Sequence, residues 1–203
     1  VIKGPNALIF GRAGSGGIFN RVRKEANWNP KQELKFSGGS YDHKRMTLDT
    51  GYVLNDKVAF RMNGLYEHSR SHRKGQELQR YGIAPTVTIK PTAKTKVVIQ
   101  AELFKDDRTA DRGIPSKNGR PFKGGSKNTF YGNAALSPTD TNKKAISMHV
   151  DHRFNEHFKF RNRVHYAKFD KFYQNVYANG SVSDSNTVAL GAYNDETDRE
   201  NFF

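Results

Sequence analysis

A transmembrane antiparallel β-barrel wall is the fold class this sequence predicts, on three observations. Apolar and polar residues alternate with a period of two through about seven segments between Lys31 and Tyr166. The connections between those segments are short on one side and long on the other. Aromatic residues gather at the segment ends, where a barrel meets the two membrane surfaces.

Composition agrees with lipid on one face only. Hydrophobic residues make up 35% of the 203 residues, too few for an ordinary soluble core. No run approaches the ~18 apolar residues of a membrane-spanning helix. Disorder would bring few aromatics, whereas the chain has 14 Phe and 9 Tyr. A barrel exposes alternate residues to lipid, so it looks polar on average. The absence of cysteine suits either redox compartment. The formal charge of +14 raises a different-class alternative, a basic nucleic-acid-binding β-protein. That alternative predicts a concentrated Lys/Arg patch or a known module, but the basic residues are spread along every segment and loop. The chain opens on Val1 in mid-pattern without a signal peptide, which we read as part of a longer protein.

Three regions follow: a Gly-rich stretch at 1–26, a linker at 27–30, and the barrel wall at 31–203. The first wall segment, Lys31 to Gly39, sets Leu34 and Phe36 against Glu33 and Lys35. The second, Lys44 to Leu54, alternates Met46, Leu48 and Tyr52 with Thr47, Asp49 and Gly51, and turns at Asn55-Asp56. The third sets Val58, Phe60, Met62 and Tyr66 against Ala59, Arg61, Asn63 and Glu67. The fourth carries Tyr81, Ile83, Val87 and Ile89 on one face, with Pro85 among them removing a ladder donor. The fifth sets Val97, Ile99, Ala101 and Leu103 against Val98, Gln100 and Glu102. The sixth presents Ile146, Met148 and Val150, and the seventh Phe160, Val164 and Tyr166, either side of a turn at Asn155 to His157. An eighth begins near Val188.

Long connections are read at His68–Arg80, Asp106–Lys143 and Asn175–Thr187. Loops of such length are uncommon in compact soluble domains but usual on the outer side of bacterial barrels. Tyr52, Phe154 and Phe158 would form one aromatic girdle, and Tyr66, Tyr81, Phe104 and Tyr166 the other. The opposite face then lines a lumen bearing Lys35, Arg61, Lys90, Arg153, Lys159, Arg161 and Arg163, either to attract anions or to pair with acids elsewhere.

The opening stretch fails as a nucleotide loop. Gly11 to Gly16 is followed by Gly17-Ile18 rather than Lys-Ser/Thr, and Gly14-Ser15-Gly16 lacks a third glycine because position 19 is Phe. Instead, Ile2-Lys3-Gly4-Pro5, Phe10-Gly11, Gly16-Gly17 and Asn20-Arg21-Val22-Arg23-Lys24 resemble the end of the plug domain of TonB-dependent outer-membrane receptors. Phe19 stands where Ile or Leu is usual. The resemblance continues through Gly38-Gly39-Ser40-Tyr41, Leu54-Asn55-Asp56 and Val58-Ala59-Phe60-Arg61. Within the long loop, Asp111-Arg112-Gly113-Ile114-Pro115-Ser116 and Asn118-Gly119-Arg120-Pro121 look nearest to ferric-catecholate receptors.

The resemblance implies a 22-strand barrel around a plug, of which this chain holds the plug's end and the first seven or eight strands. Phe203 resembles the C-terminal aromatic of complete outer-membrane proteins, but an eight-stranded barrel fills its own interior and leaves no room for a plug. The implied function is outer-membrane uptake of a ferric siderophore, driven through a TonB-type periplasmic energy-transducing protein. Haem, cobalamin or another metal chelate is the alternative cargo. No catalysis and no resident cofactor are implied, since iron travels inside its chelator.

The resemblance puts Phe10 in the plug's apical loop, facing ligand, with Arg12 beside it as a charge partner. From the long loop we select Arg108, Arg112 and Arg120, whose planar donors suit delocalised oxygen anions, and Tyr131, whose ring suits a catechol. Among seven histidines, His149 and His152 point to opposite faces of a strand, while His68 and His72 flank one loop. No metal site is expected.

Overall fold

The computed structural model describes residues 2–3, 17–18 and 22–203. Two short strands, β1 (Ile2–Lys3) and β2 (Gly17–Ile18), pair antiparallel. The wall comprises β3 (Gln32–Gly39), β4 (His43–Asn55), β5 (Val58–Arg70), β6 (Glu77–Thr92) and β7 (Thr95–Thr109), then β10 (Pro138–Arg153), β11 (Lys159–Asn179) and β12 (Ala189–Phe202). A small hairpin, β8 (Ser116–Lys117) and β9 (Arg120–Pro121), lies inside the connection from β7 to β10.

The eight wall strands form one antiparallel sheet in the order β12-β11-β10-β7-β6-β5-β4-β3. Each strand pairs with the next wall strand along the chain, so the sheet is an up-and-down meander. Turns at 56–57, 93–94 and 154–158 close one end, and connections at 40–42, 71–76, 110–137 and 180–188 close the other. Two of these tight turns are set by asparagine side chains and the third by Thr92, whose Oγ1 accepts from Lys94 N at 3.2 Å. Asn55 Oδ1 accepts from Lys57 N at 2.9 Å, and Asn155 Oδ1 accepts from His157 N at 2.9 Å and Phe158 N at 2.8 Å. Pro85 pairs with Met62 on β5, while the ladder to β7 skips from Ile83 to Thr86 because proline has no N–H to give.

The strands run further than alternation indicates. β7 continues to Thr109 and β11 to Asn179, so the long connection spans 110–137 rather than Asp106 to Lys143. At ~3.3 Å per residue, β11 extends about 70 Å, well past the ~9–11 residues needed to cross a bilayer. The extra turns of strand stand in water and carry polar residues on both faces, which erases the two-residue hydropathy signal. On the outward side Lys105 and Asp107 follow Leu103 in β7, Asp140 lies beyond Ile146 in β10, and Lys168 and Asp170 follow Tyr166 in β11.

The two faces differ as lipid and water require. Leu48, Tyr66, Tyr81, Ile83, Ile99, Leu103, Ile146 and Phe160 are all exposed on one face. A contiguous apolar surface of that extent calls for lipid. The cross-strand pairs Tyr52–Phe60 and Tyr66–Tyr81 mark its two borders. Phe104 does not join the upper girdle. It shares the inner face with Glu102, and its ring covers Gly82, where an added Cβ would meet it at 3.0 Å. The inner face is built from small side chains. Ala59, Thr88, Val98, Ala145, Ser147 and Ala167 are buried there, and Ala26 packs into the same core.

Above the membrane, Asp140 faces Asp107 across β7 and β10. Hydrogen bonding and repulsion from Asp107, with burial, push the Asp140 carboxyl above its ordinary range despite Lys105 nearby. An acid whose folded value is raised costs stability once pH exceeds its unfolded value. Asp107→Asn is therefore expected to raise stability at neutral pH and flatten its pH dependence in the carboxylate range, as denaturant midpoints at several pH values would show.

Candidate functional site

Two regions carry the chemistry. The first is where residues 22–30 cross the inner face. Arg23 Nη2 lies 3.3 Å from Glu102 Oε2, and Arg23 Nη1 donates to Ser147 Oγ at 3.2 Å. Lys24 Nζ lies 2.6 Å from Asp49 Oδ2. Asp49 is itself gripped by Arg61, whose Nε and Nη2 donate to its two oxygens at 2.7 and 2.8 Å. Lys96 pairs with Glu25, Trp28 Nε1 donates to Asn55 O at 3.0 Å, and Lys90 Nζ sits 4.1 Å from the Trp28 ring centre. Part of the basic inner face, Lys35, Arg61 and Arg161, is answered by acids of the wall itself. Arg161 meets Asp151 at 2.6 Å and Lys35 meets Glu33 at 2.9 Å.

The second region is the outer end of the wall. The 110–137 connection is fastened to the top of β11. Asn133 N donates to Val176 O at 3.1 Å, Ala178 N to Tyr131 O at 3.1 Å, and Asn175 Nδ2 to Ala110 O at 2.8 Å. Ser137, fully buried, receives Val176 N on its Oγ at 3.0 Å. Gly132 bridges Tyr177, so close that an added Cβ would lie 1.9 Å from Val176 O.

On this base Arg112 lies over the Tyr177 ring, its Cζ 3.7 Å from the ring centre. Hydrogen bonding to the Tyr173 side chain pushes the exposed Arg112 guanidinium above its ordinary range. Tyr193 on β12 stands 6.1 Å from Tyr173, ring centre to ring centre. Tyr173, Tyr177 and Tyr193 share the inner-face register of β11 and β12, so a cation and three rings look toward the lumen's outer mouth. Such a set can hold a planar anion or an aromatic chelating arm.

Of the residues selected from the sequence, Arg112 and Tyr131 both attach to the top of β11. Tyr131 also meets Phe122 edge-on at 6.5 Å. Arg108 lies on the wall, exposed, with Asp106 3.2 Å away. Arg120 is exposed on β9, whose hairpin is tied to the next loop through Val182 N donating to Ser116 O at 2.8 Å. Phe10 and Arg12 lie outside the described residues. The sequence reading did not select Tyr173, Tyr177 and Tyr193; the equal parity of Tyr173 and Tyr177, four apart along β11, was the available signal. His68 Nε2 faces Asp42 at 3.3 Å while His72 Nδ1 faces Ser71 Oγ at 3.4 Å, and no metal-binding group of three or more occurs among the described residues.

No protein-family profile matches the chain. Curated relatives do. The ferrichrome outer membrane transporter/phage receptor of Escherichia coli K12 is 28% identical over 190 residues, covering 91% of this chain and 25% of the relative. The probable TonB-dependent receptor BfrD of Bordetella pertussis is 29% identical over 175 residues, covering 83% and 24%. The catecholate siderophore receptor Fiu of Escherichia coli K12 is 25% identical over 189 residues, covering 85% and 24%. The chain therefore spans about a quarter of the length of the relatives it matches.

Among solved structures, the siderophore receptor PiuA from Acinetobacter baumannii superposes with a TM-score of 0.88 at 23% identity, covering 98% of this chain and 30% of that one. The closed form of Fiu from Escherichia coli K12 gives 0.85 at 23%, covering 100% and 31%. These superpositions establish a shared wall fold. With a lipid-facing sheet, the chain is similar along nearly its whole length to proteins named as outer-membrane transporters, TonB-dependent receptors and siderophore receptors, and it shares the wall fold of two solved siderophore-receptor structures.

Proposed function

We propose that this chain contributes the outer-mouth binding surface for energy-coupled import of a ferric siderophore of catecholate type. The observation that carries the reading is Arg112 held over the Tyr177 ring, with Tyr173 and Tyr193 beside each other on the same inner face. A ferric tris-catecholate is a polyanion with aromatic arms, so it matches a guanidinium flanked by rings. Arg108 and Arg120 add positive charge around this centre, Tyr131 supplies a further ring, and Phe10 with Arg12 would meet the ligand from below. Residues 1–26 act in this reading as the end of a plug, 27–30 as its linker, and a TonB-type periplasmic protein supplies the pull.

Replacing Arg108, Arg112 and Arg120 together with serine in the full-length receptor is expected to weaken ferric-catecholate binding by about tenfold or more, equivalent to ~1.4 kcal/mol. Equilibrium binding to outer-membrane vesicles, run beside haem, cobalamin and a ferric hydroxamate, measures this. Unchanged catecholate affinity refutes the assignment, and selective loss of another ligand redirects it.

A further inference from the structure

We propose that Asp49 and Arg61 are positioning residues that pin residues 23–28 to the barrel wall, making this segment the stationary end of the inner domain while the domain is pulled. The inference rests on the transport reading above and adds to it where displacement stops.

Every residue of the segment except Asn27, which is exposed, packs on or bonds to the wall. Arg23 reaches Glu102 on β7 and Ser147 on β10. The Lys24 side chain reaches Asp49 on β4, and its carbonyl accepts from Thr86 Oγ1 on β6 at 3.3 Å and Gln100 Nε2 on β7 at 3.4 Å. The Glu25 side chain meets Lys96, and its carbonyl accepts from Arg61 Nη1 at 3.0 Å. Ala26 is 2% exposed among the small inner-face side chains. Trp28 closes the series on Asn55 and Lys90. Five wall strands thus hold Arg23, Lys24, Glu25, Ala26 and Trp28, the first four in an unbroken run.

Asp49 is the centre of this arrangement. It is 4% exposed, and its two oxygens take a forked Arg61 and Lys24 together. Arg61 in turn reaches past Asp49 to the Glu25 carbonyl, so the wall pair and the crossing segment are one network. With Asp49 and Arg61 shielded from bulk water and sharing their partners, the network yields cooperatively rather than contact by contact. A pull transmitted along the chain toward Arg23 therefore meets a sharp rise in resistance there, and the segment beyond it stays with the wall.

The experiment uses the full-length receptor in outer-membrane vesicles with a cysteine at position 26 (Ala26→Cys). Labelling by a thiol reagent, without ligand, reports release of the segment. Protection in the parent and about tenfold faster labelling in Asp49→Asn and in Lys24→Met is expected; Lys24→Met leaves the Asp49–Arg61 wall pair in place and guards against a folding failure. Equal protection in all three overturns the anchor. Separately, a short bis-thiol cross-link between Arg23→Cys and Ser147→Cys is expected to leave ferric-chelate uptake within about twofold of the parent, and to restore uptake lost in Asp49→Asn. Abolished uptake in the cross-linked receptor, with surface binding intact, shows that the segment must move and overturns the proposal. A receptor that takes up no ferric chelate before substitution refutes the transport reading alone, and the labelling result still judges the anchor.

Discussion

Replacing Ile99 with arginine is expected to destabilise the folded receptor by about 2–4 kcal/mol. Ile99 lies midway up β7, opposite Val87 on β6 and Met148 on β10, on the face that carries the exposed apolar residues. An arginine there meets hydrocarbon and has to snorkel or draw water into the bilayer. The matching substitution on the inner face, Thr47→Arg, meets a hydrated interior and is expected to cost less than about 1 kcal/mol. Urea unfolding of the full-length receptor in lipid vesicles measures both. Equal costs on the two faces would contradict the assignment of lipid and lumen.

Gly132→Val is expected to detach the base of the 110–137 connection, at a local cost of about 3 kcal/mol. The obstacle is backbone. A Cβ at this position would lie 1.9 Å from Val176 O and 2.9 Å from Val176 C, and the residue's φ of +155° suits glycine. β11 cannot withdraw here without breaking its ladder to β12, where Val176 pairs with Ala192, so the loop must lift instead. Its lifting separates Tyr131 from Ala178 and frees Arg112 from Tyr177. Faster amide exchange from 110 to 137 and loss of chelate binding should therefore appear together, while the membrane-spanning strands keep their protection.

How much was legible in the sequence depended on what surrounds each residue. Met62, Ile83 and Ile99 stand against lipid on one side and water on the other, so their strands alternate visibly and the faces were assigned correctly. Above the girdle, Lys168, Asp170 and Gln174 face water just as Lys171 and Tyr173 do, and alternation vanishes although the strand continues. Phe104 was misassigned because an aromatic near a strand end reads as a girdle residue. Only register with Gly82 reveals the inner-face gap it fills. Arg112 was selected for its charge and its place in the loop, but its tyrosine partners lie about sixty residues further along the chain and carry no local mark.

By itself the sequence determined that this is a membrane β-wall, which side of each strand meets lipid, and where the short turns fall. Those properties follow from side-chain period and turn chemistry, which act between near neighbours. The tertiary structure alone decided which distant groups meet: Lys24 with Asp49 and Arg61, Gly132 with Val176, Arg112 with Tyr177. Such pairings depend on inter-strand register and on how far strands extend beyond the membrane. Register accumulates over the whole sheet, so no local stretch of sequence can state it.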